Sequence, residues 1–154
     1  MYRFVILCFA FFCLETALGQ STPVSQCQAS NGSLPINAYV VGCTEPPCSL
    51  PQNQDVVIRV VFKAPRILHD MKTKAVAILG IAINYPLGQN EVTCNFLTNS
   101  YCPVLEGEIV EYSLRMFIEP IFPTVPVTIE FRVEDGDAVP VWCIRLPIVI
   151  VRPQ

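Results

Sequence analysis

The chain has 154 residues, 52% of them hydrophobic and only 15% charged, with a formal net charge of −3. A weakly acidic chain without basic tracts excludes a nucleic-acid surface, which needs clustered Lys or Arg, and gives no electrostatic pull toward an anionic membrane. So much apolar character in so short a chain demands a source: a membrane span, a removable leader or an unusually apolar fold.

Met1-Tyr2-Arg3 carries one positive charge, Phe4 to Leu14 is an apolar run, and Ala17-Leu18-Gly19 is a small-x-small cleavage pattern. These are the parts of a secretory signal peptide. Glu15 interrupts the run well before the roughly 18 apolar residues a spanning helix needs. Cleavage is expected after Gly19, so residues 1–19 are a leader and residues 20–154 one domain with a real core. The leader takes Arg3 and Glu15, which leaves the balance at −3. Cys8 and Cys13 leave with it. Cys27, Cys43, Cys48, Cys94, Cys102 and Cys143 then form an even set on an oxidising route, which reads as three disulfides. The rival reading is zinc, which wants four converging ligands, and His69 is the only histidine. Six cysteines leave many pairings open. Cys43 with Cys48 and Cys94 with Cys102 are the shortest, and Cys27 with Cys143 would then join the two ends of the domain.

In chain order, Asn31-Gly32-Ser33 is an N-glycosylation sequon in a polar, turn-like stretch. Ile36 to Val41 is a strand candidate, followed by a turn at Pro46-Pro47. Asp55 to Lys63 alternates with period two: Val56, Ile58, Val60 and Phe62 share one face, Arg59 and Lys63 the other. Lys63, Arg66, Lys72 and Lys74 flank one loop, which also holds His69. Ala75 to Ile83 is the next strand candidate, ending at Pro86-Leu87-Gly88, and Ile109 to Phe117 follows the polar Asn99-Ser100 loop. Pro120 and Pro123 punctuate the next connection. In Val127 to Glu134, Val127, Ile129, Phe131 and Val133 alternate with Thr128, Glu130, Arg132 and Glu134, predicting one buried and one wet face. Glu134-Asp135-Gly136-Asp137 is a hairpin signal before Val141 to Val151. No convincing helix, linker or internal repeat follows the leader. About seven short strands with regular turn signals predict an all-β, antiparallel sandwich of two sheets.

Catalysis has little to work with. His69 has no Ser or Cys motif beside it, and oxidised cysteines offer no thiolate. The acids Glu134, Asp135 and Asp137 lack the spacing of a calcium loop and read as a solvated hairpin tip. The Lys63 to Lys74 cluster reads as a solvated face, with an anionic head group as the alternative partner. No enzyme activity, cofactor or metal is therefore expected. The surplus apolar side chains of the Val56 and Val127 faces and of Phe117 to Pro123 fit either a packed core or two sheets held apart around a dry cavity. Such a cavity would bind an apolar ligand by removing its area from water, at roughly 25 cal/mol per Å².

The six-Cys order resembles that of the ML (lipid-recognition) family. So do Pro47-Cys48-Ser49-Leu50, Lys74-Ala75-Val76, Gly80-Ile81-Ala82-Ile83-Asn84-Tyr85-Pro86, Cys102-Pro103, and Cys143 before Leu146-Pro147-Ile148. Within that family the chain is most similar to secreted Niemann-Pick type C-2-like sterol and lipid binders of arthropod type, whose relatives include the mite group-two allergens. The resemblance runs from Cys27 to Val151. It implies an immunoglobulin-like sandwich with a hydrophobic cavity between its sheets, and the pairs Cys27–Cys143, Cys43–Cys48 and Cys94–Cys102. It also implies a cavity lined by Val40, Leu50, Ile58, Val60, Ile83, Tyr85, Ile118, Phe122, Pro123, Val127, Ile129, Phe131 and Ile144, with Tyr85, Ile118 and Phe122 at the mouth. The chain departs from the family pattern in three places: Trp142 precedes Cys143 where an aromatic commonly follows it, Phe131 stands where Trp is frequent, and Asn31 is not at the glycan position of lysosomal members.

The expected function is a secreted, extracellular carrier of a sterol, fatty acid or similar molecule, monomeric and not inserted in membranes, with a lysosomal address less supported. The alternative keeps the fold and makes it an innate-immunity module that recognises microbial lipids such as lipopolysaccharide.

Overall fold

The computed structural model describes residues 20–153, so the leader expected over residues 1–19 lies outside it. The strands are β1 (Asn37–Val40), β2 (Cys48–Pro51), β3 (Asp55–Lys63), β4 (Met71–Ile78), β5 (Ala82–Tyr85), β6 (Ile109–Phe117), β7 (Pro126–Asp135) and β8 (Pro140–Val151). Two short 3-10 turns, Gly88–Glu91 and Thr93–Phe96, connect β5 toward β6. A small sheet has the order β1-β3-β6, and a large one the order β2-β8-β7-β4-β5. The two-sheet, all-β sandwich therefore stands as the alternation predicts. Its strands number eight, and one pair is not antiparallel. After β1 the chain turns through the Cys43–Cys48 loop and crosses to the other sheet, where β2 runs parallel to β8, Cys48 opposite Ile148 and Pro51 opposite Val151.

Burial follows period two wherever one sheet face meets the core. Along β3, Val56, Ile58, Val60 and Phe62 are buried and Asp55, Arg59 and Lys63 exposed. Along β6, Val110, Tyr112, Leu114 and Met116 are buried. The expected strand from Ala75 to Ile83 is two strands. Alternation begins earlier, at Met71, with Thr73 and Ala75 inward and Lys72 and Lys74 outward; Gly80, at φ +80°, then turns the chain back into β5. Only glycine takes that backbone geometry without steric cost. Lys72 and Lys74 are thus strand residues, not loop residues.

The wet face expected for β7 is also corrected. Glu130 and Glu134 are buried, at 4% and 8% exposure. The segment ahead of β1 covers them by pairing along the β8 edge that β2 leaves open. Ser25 N–H donates to the Arg145 carbonyl (3.1 Å), Arg145 N–H to the Ser25 carbonyl (2.7 Å) and Cys143 N–H to the Ser33 carbonyl (3.0 Å). The Cys27–Cys143 disulfide fastens this segment, and the Gln28 N–H donates to Glu130 Oε1 at 3.2 Å. Burying these carboxylates is tolerable because they are paired: Arg145 with Glu130 (3.0 Å), Lys74 with Glu134 (2.5 Å) and Arg132 with Glu134 (2.9 Å). Cys43–Cys48 and Cys94–Cys102 complete the covalent frame.

The two sheets are joined at one end by polar as well as apolar contacts. Thr73 of β4 shares hydrogen bonds of 2.8 Å with Thr93 and with the Tyr112 hydroxyl of β6. Trp142 packs against both Phe62 and Tyr112, with ring centroids 6.2 and 6.1 Å apart. Burial pushes the Tyr112 phenol up to about 12, the Thr73 hydrogen bond opposing it.

Candidate ligand cavity

At the other end the sheets enclose a cavity of about 100 Å³. The large sheet contributes Ala75, Ala77 and Leu79 from β4 and its turn, Tyr85 from β5, Val127 and Ile129 from β7, and Ile148 and Ile150 from β8. Opposite them stand Met116 and Ile118, at the end of β6, with Phe122, Pro123 and Val125 from the β6–β7 connection. Its origin is local. Ala75 and Ala77 take two successive inward positions of β4, between Phe131 and Ile129 of β7 on one side and Tyr85 and Ile83 of β5 on the other. Two methyl groups amid larger side chains leave a void in a sheet that otherwise packs to the density of an organic crystal. Of the lining side chains only Tyr85 carries a hydroxyl, amide or charge, and a cavity this apolar stays dry.

The β6–β7 connection forms one wall. The Gln52 side-chain amide donates to the carbonyls of Pro120 (3.1 Å) and Phe122 (2.6 Å), the Phe122 N–H donates to the Glu119 carbonyl (3.2 Å), and the Ile150 N–H to the Val125 carbonyl (3.2 Å). Tyr85 and Phe122, both partly buried, meet edge to face across the opening, centroids 5.6 Å apart at 76°. Burial, then the negative charge of Glu119, raises the Tyr85 phenol above its ordinary value. Around the opening Leu79, Ile81 and Ile121 are exposed, Ile121 by 85%.

Among the residues expected from the resemblance, the structure brings Tyr85, Ile118, Phe122, Pro123, Val127 and Ile129 together around this cavity. Ile118 is buried at 1% exposure and belongs to its interior, not its mouth. Val40, Leu50, Ile58, Val60, Phe131 and Ile144 face inward as alternation requires, yet lie in the solid core away from the lining. Ile83 shares the cavity-side face of β5, but that edge strand runs out beyond its cover and leaves Ile83 45% exposed. The residues not anticipated are Ala75, Ala77, Leu79, Met116, Val125, Ile148 and Ile150. For Ala75 and Ala77 the signal was in the sequence: two small residues, two apart, on the inward face of a strand.

A larger groove, about 710 Å³, lies on the outer face of the small sheet among Tyr39, Arg59, Val61, Glu111 and Ser113. Most of that volume is open solvent beside charged side chains, so size alone does not make it the better site. His69 is exposed in the β3–β4 loop, all six described cysteines are oxidised, and no cluster of three metal-binding side chains occurs among the described residues. No helix among them is long and apolar enough to cross a membrane.

The sandwich with an apolar interior void defines a class that comparison with known proteins makes specific. The ML domain family profile matches residues 21–150, and the chain belongs to that family. It is 23% identical over 150 residues to the "NPC intracellular cholesterol transporter 2" of Bos taurus, covering 95% of this chain and 97% of that one. It is 25% identical to the "NPC intracellular cholesterol transporter 2 homolog a" of Drosophila melanogaster, over 93% of this chain and 94% of that protein. Among solved structures, a Niemann-Pick type C2 protein from the Japanese carpenter ant superposes with a TM-score of 0.74 at 18% identity, over 84% of this chain and 99% of that one. That last likeness is one of fold.

Proposed function

We propose that this protein is a secreted, monomeric carrier that takes one sterol, fatty acid or similar lipid between its sheets and hands it on. The observation that carries this reading is the cavity itself, walled by apolar side chains at the unpinned end of the sandwich. The names of its relatives, cholesterol transporters, agree with it. The leader pattern and three disulfides fit an oxidising, extracellular route.

At about 100 Å³ the void is a seed for the site, since ligand pockets usually run to roughly 300–1,000 Å³. Loading must therefore separate the sheets. The Thr73–Thr93–Tyr112 hydroxyl chain and the Trp142 cluster hold one end together, while the Tyr85–Phe122 contact at the other is worth only about 0.5–1.5 kcal/mol. Opening is thus cheapest at the mouth. A ligand burying about 400 Å² of apolar surface gains roughly 10 kcal/mol gross, enough to offset mouth opening and part of the roughly 4–15 kcal/mol lost on association.

Recognition of microbial lipid phosphates draws less support. Arg66 and Lys74 are engaged with Asp135 and Glu134, and Lys72 sits at the start of β4, about 20 Å along the strand from Leu79. Organic extraction of the purified protein followed by mass spectrometry, with displacement of a fluorescent sterol or fatty acid, tests the carrier reading. A clean extract together with no displacement would sink it.

A further inference from the structure

A lipid seated in this cavity has one place to put its polar head. The lining offers a single hydrogen-bonding side chain, the Tyr85 hydroxyl, so the head must lie beside Tyr85 at the mouth with the tail directed inward past Ile118 and Ile129.

The charge at that place is negative. Glu119 is exposed at the start of the turn whose carbonyl receives the Phe122 N–H, and its field is felt at the Tyr85 hydroxyl. No Lys or Arg lines the cavity. The basic side chains nearest in sequence are committed elsewhere: Arg115 pairs with Asp55 at 3.2 Å, and Lys74 and Arg132 pair with Glu134 on the opposite face of the β4–β7 pair. Glu119 itself takes part in no ion pair among the described residues.

Resting on the carrier reading, we infer that Glu119 is a charge filter at the mouth: the site takes lipids with an uncharged, hydrogen-bonding head such as an alcohol, and rejects carboxylate or phosphate heads. Tyr85 supplies the hydrogen bond the alcohol needs. Glu119 supplies the repulsion a carboxylate meets, in the manner of specificity built from an unfavourable contact with the wrong partner.

The test is competition at pH 8 between 1-dodecanol and dodecanoate for the neutral fluorophore N-phenyl-1-naphthylamine. The wild-type chain should bind dodecanol at least about tenfold more tightly at low salt, and added salt should narrow the gap, because screening weakens repulsion between exposed charges. In Glu119→Gln the gap should shrink several-fold and lose its salt dependence, and Glu119→Lys should favour dodecanoate; thermal unfolding of both variants checks their folding. A gap unchanged in Glu119→Gln, or a wild-type preference for dodecanoate, overturns the filter while leaving the carrier intact. Failure of the fluorophore and both ligands to bind removes the carrier reading and the filter with it.

Discussion

Tyr85 and Phe122 stand edge to face across the one opening of the cavity, 5.6 Å between ring centroids, whereas Ile118, one turn of chain before Phe122, is sealed from solvent. A charge therefore has opposite consequences at the two positions. Phe122→Arg leaves its guanidinium access to water, so ligand displacement should disappear while the unfolding midpoint falls only modestly. Ile118→Arg buries an unpaired charge and should cost more than about 4 kcal/mol. Paired denaturant melts and displacement assays on the two variants check this. Equal damage to folding would mean that Phe122 is core.

Ala77 makes room for the cavity. Placed between Ile83 and Ile129 in the sheet, its methyl group faces the void. Ala77→Phe should fill the space and abolish uptake of any lipid. Overpacking a solid core would cost about 1–3 kcal/mol; here the ring enters a void, so the melting temperature should stay within a few degrees of the wild type. Retained binding, or a large loss of stability, would show that the position is not open.

Trp142 is the only tryptophan and lies at the pinned end with Phe62 and Tyr112, six residues along β8 from the lining Ile148. If the sandwich opens only at its mouth, ligand should leave the Trp142 emission wavelength unchanged, while a Phe122→Trp reporter shifts. Emission spectra with and without ligand decide it, and a shift at Trp142 would mean that the sheets part along their whole length.

Which face of a strand points inward was legible from period-two alternation alone: Val56 to Phe62 and Val127 to Val133 are where the pattern puts them. How far along the strand an inward side chain sits was not. Val60, Phe131 and Ile144 share faces with cavity residues yet stand in solid packing, because depth depends on which side chains lie opposite in the other sheet. The burial of Glu130 and Glu134 was hidden for a similar reason: it is imposed by residues 25–33, about a hundred positions earlier. Family resemblance located the mouth through Tyr85 and Phe122, but it favoured bulky residues and passed over Ala75 and Ala77.

Gly32 shows how closely that early segment lies on β8. A Cβ added there would fall 2.8 Å from the Trp142 carbonyl carbon and 2.9 Å from the Cys143 nitrogen and Cβ, backbone positions that cannot swing aside. Gly32→Ala should lower the melting temperature by several degrees. The substitution keeps the Asn31 sequon, and Asn31 is exposed; a glycan gel shift in secreted protein therefore reads modification separately from packing. Cys27→Ser, which opens a link of sequence separation 116, should cost about 2–5 kcal/mol, and a variant as stable as the wild type would deny the segment any role in holding the sheet.

Alkaline pH tests the pinned end. The Tyr112 phenol is raised by burial from 10.0 to about 12, so the folded state holds its proton after the unfolded chain has released it. A group with a raised folded pKa contributes stability that is whole below the unfolded value and is lost as pH climbs through the folded one. Between about pH 10 and 12 this single group should remove stability at up to about 1.4 kcal/mol per pH unit, with Tyr85 acting in the same direction. Tyr112→Phe forfeits the hydrogen bond to Thr73 at neutral pH, a loss of about 1 kcal/mol, but should flatten the alkaline slope. Denaturant midpoints at pH 8, 10 and 11.5 for both proteins measure this; identical slopes would mean that the Tyr112 hydroxyl is not the buried proton that couples the two sheets.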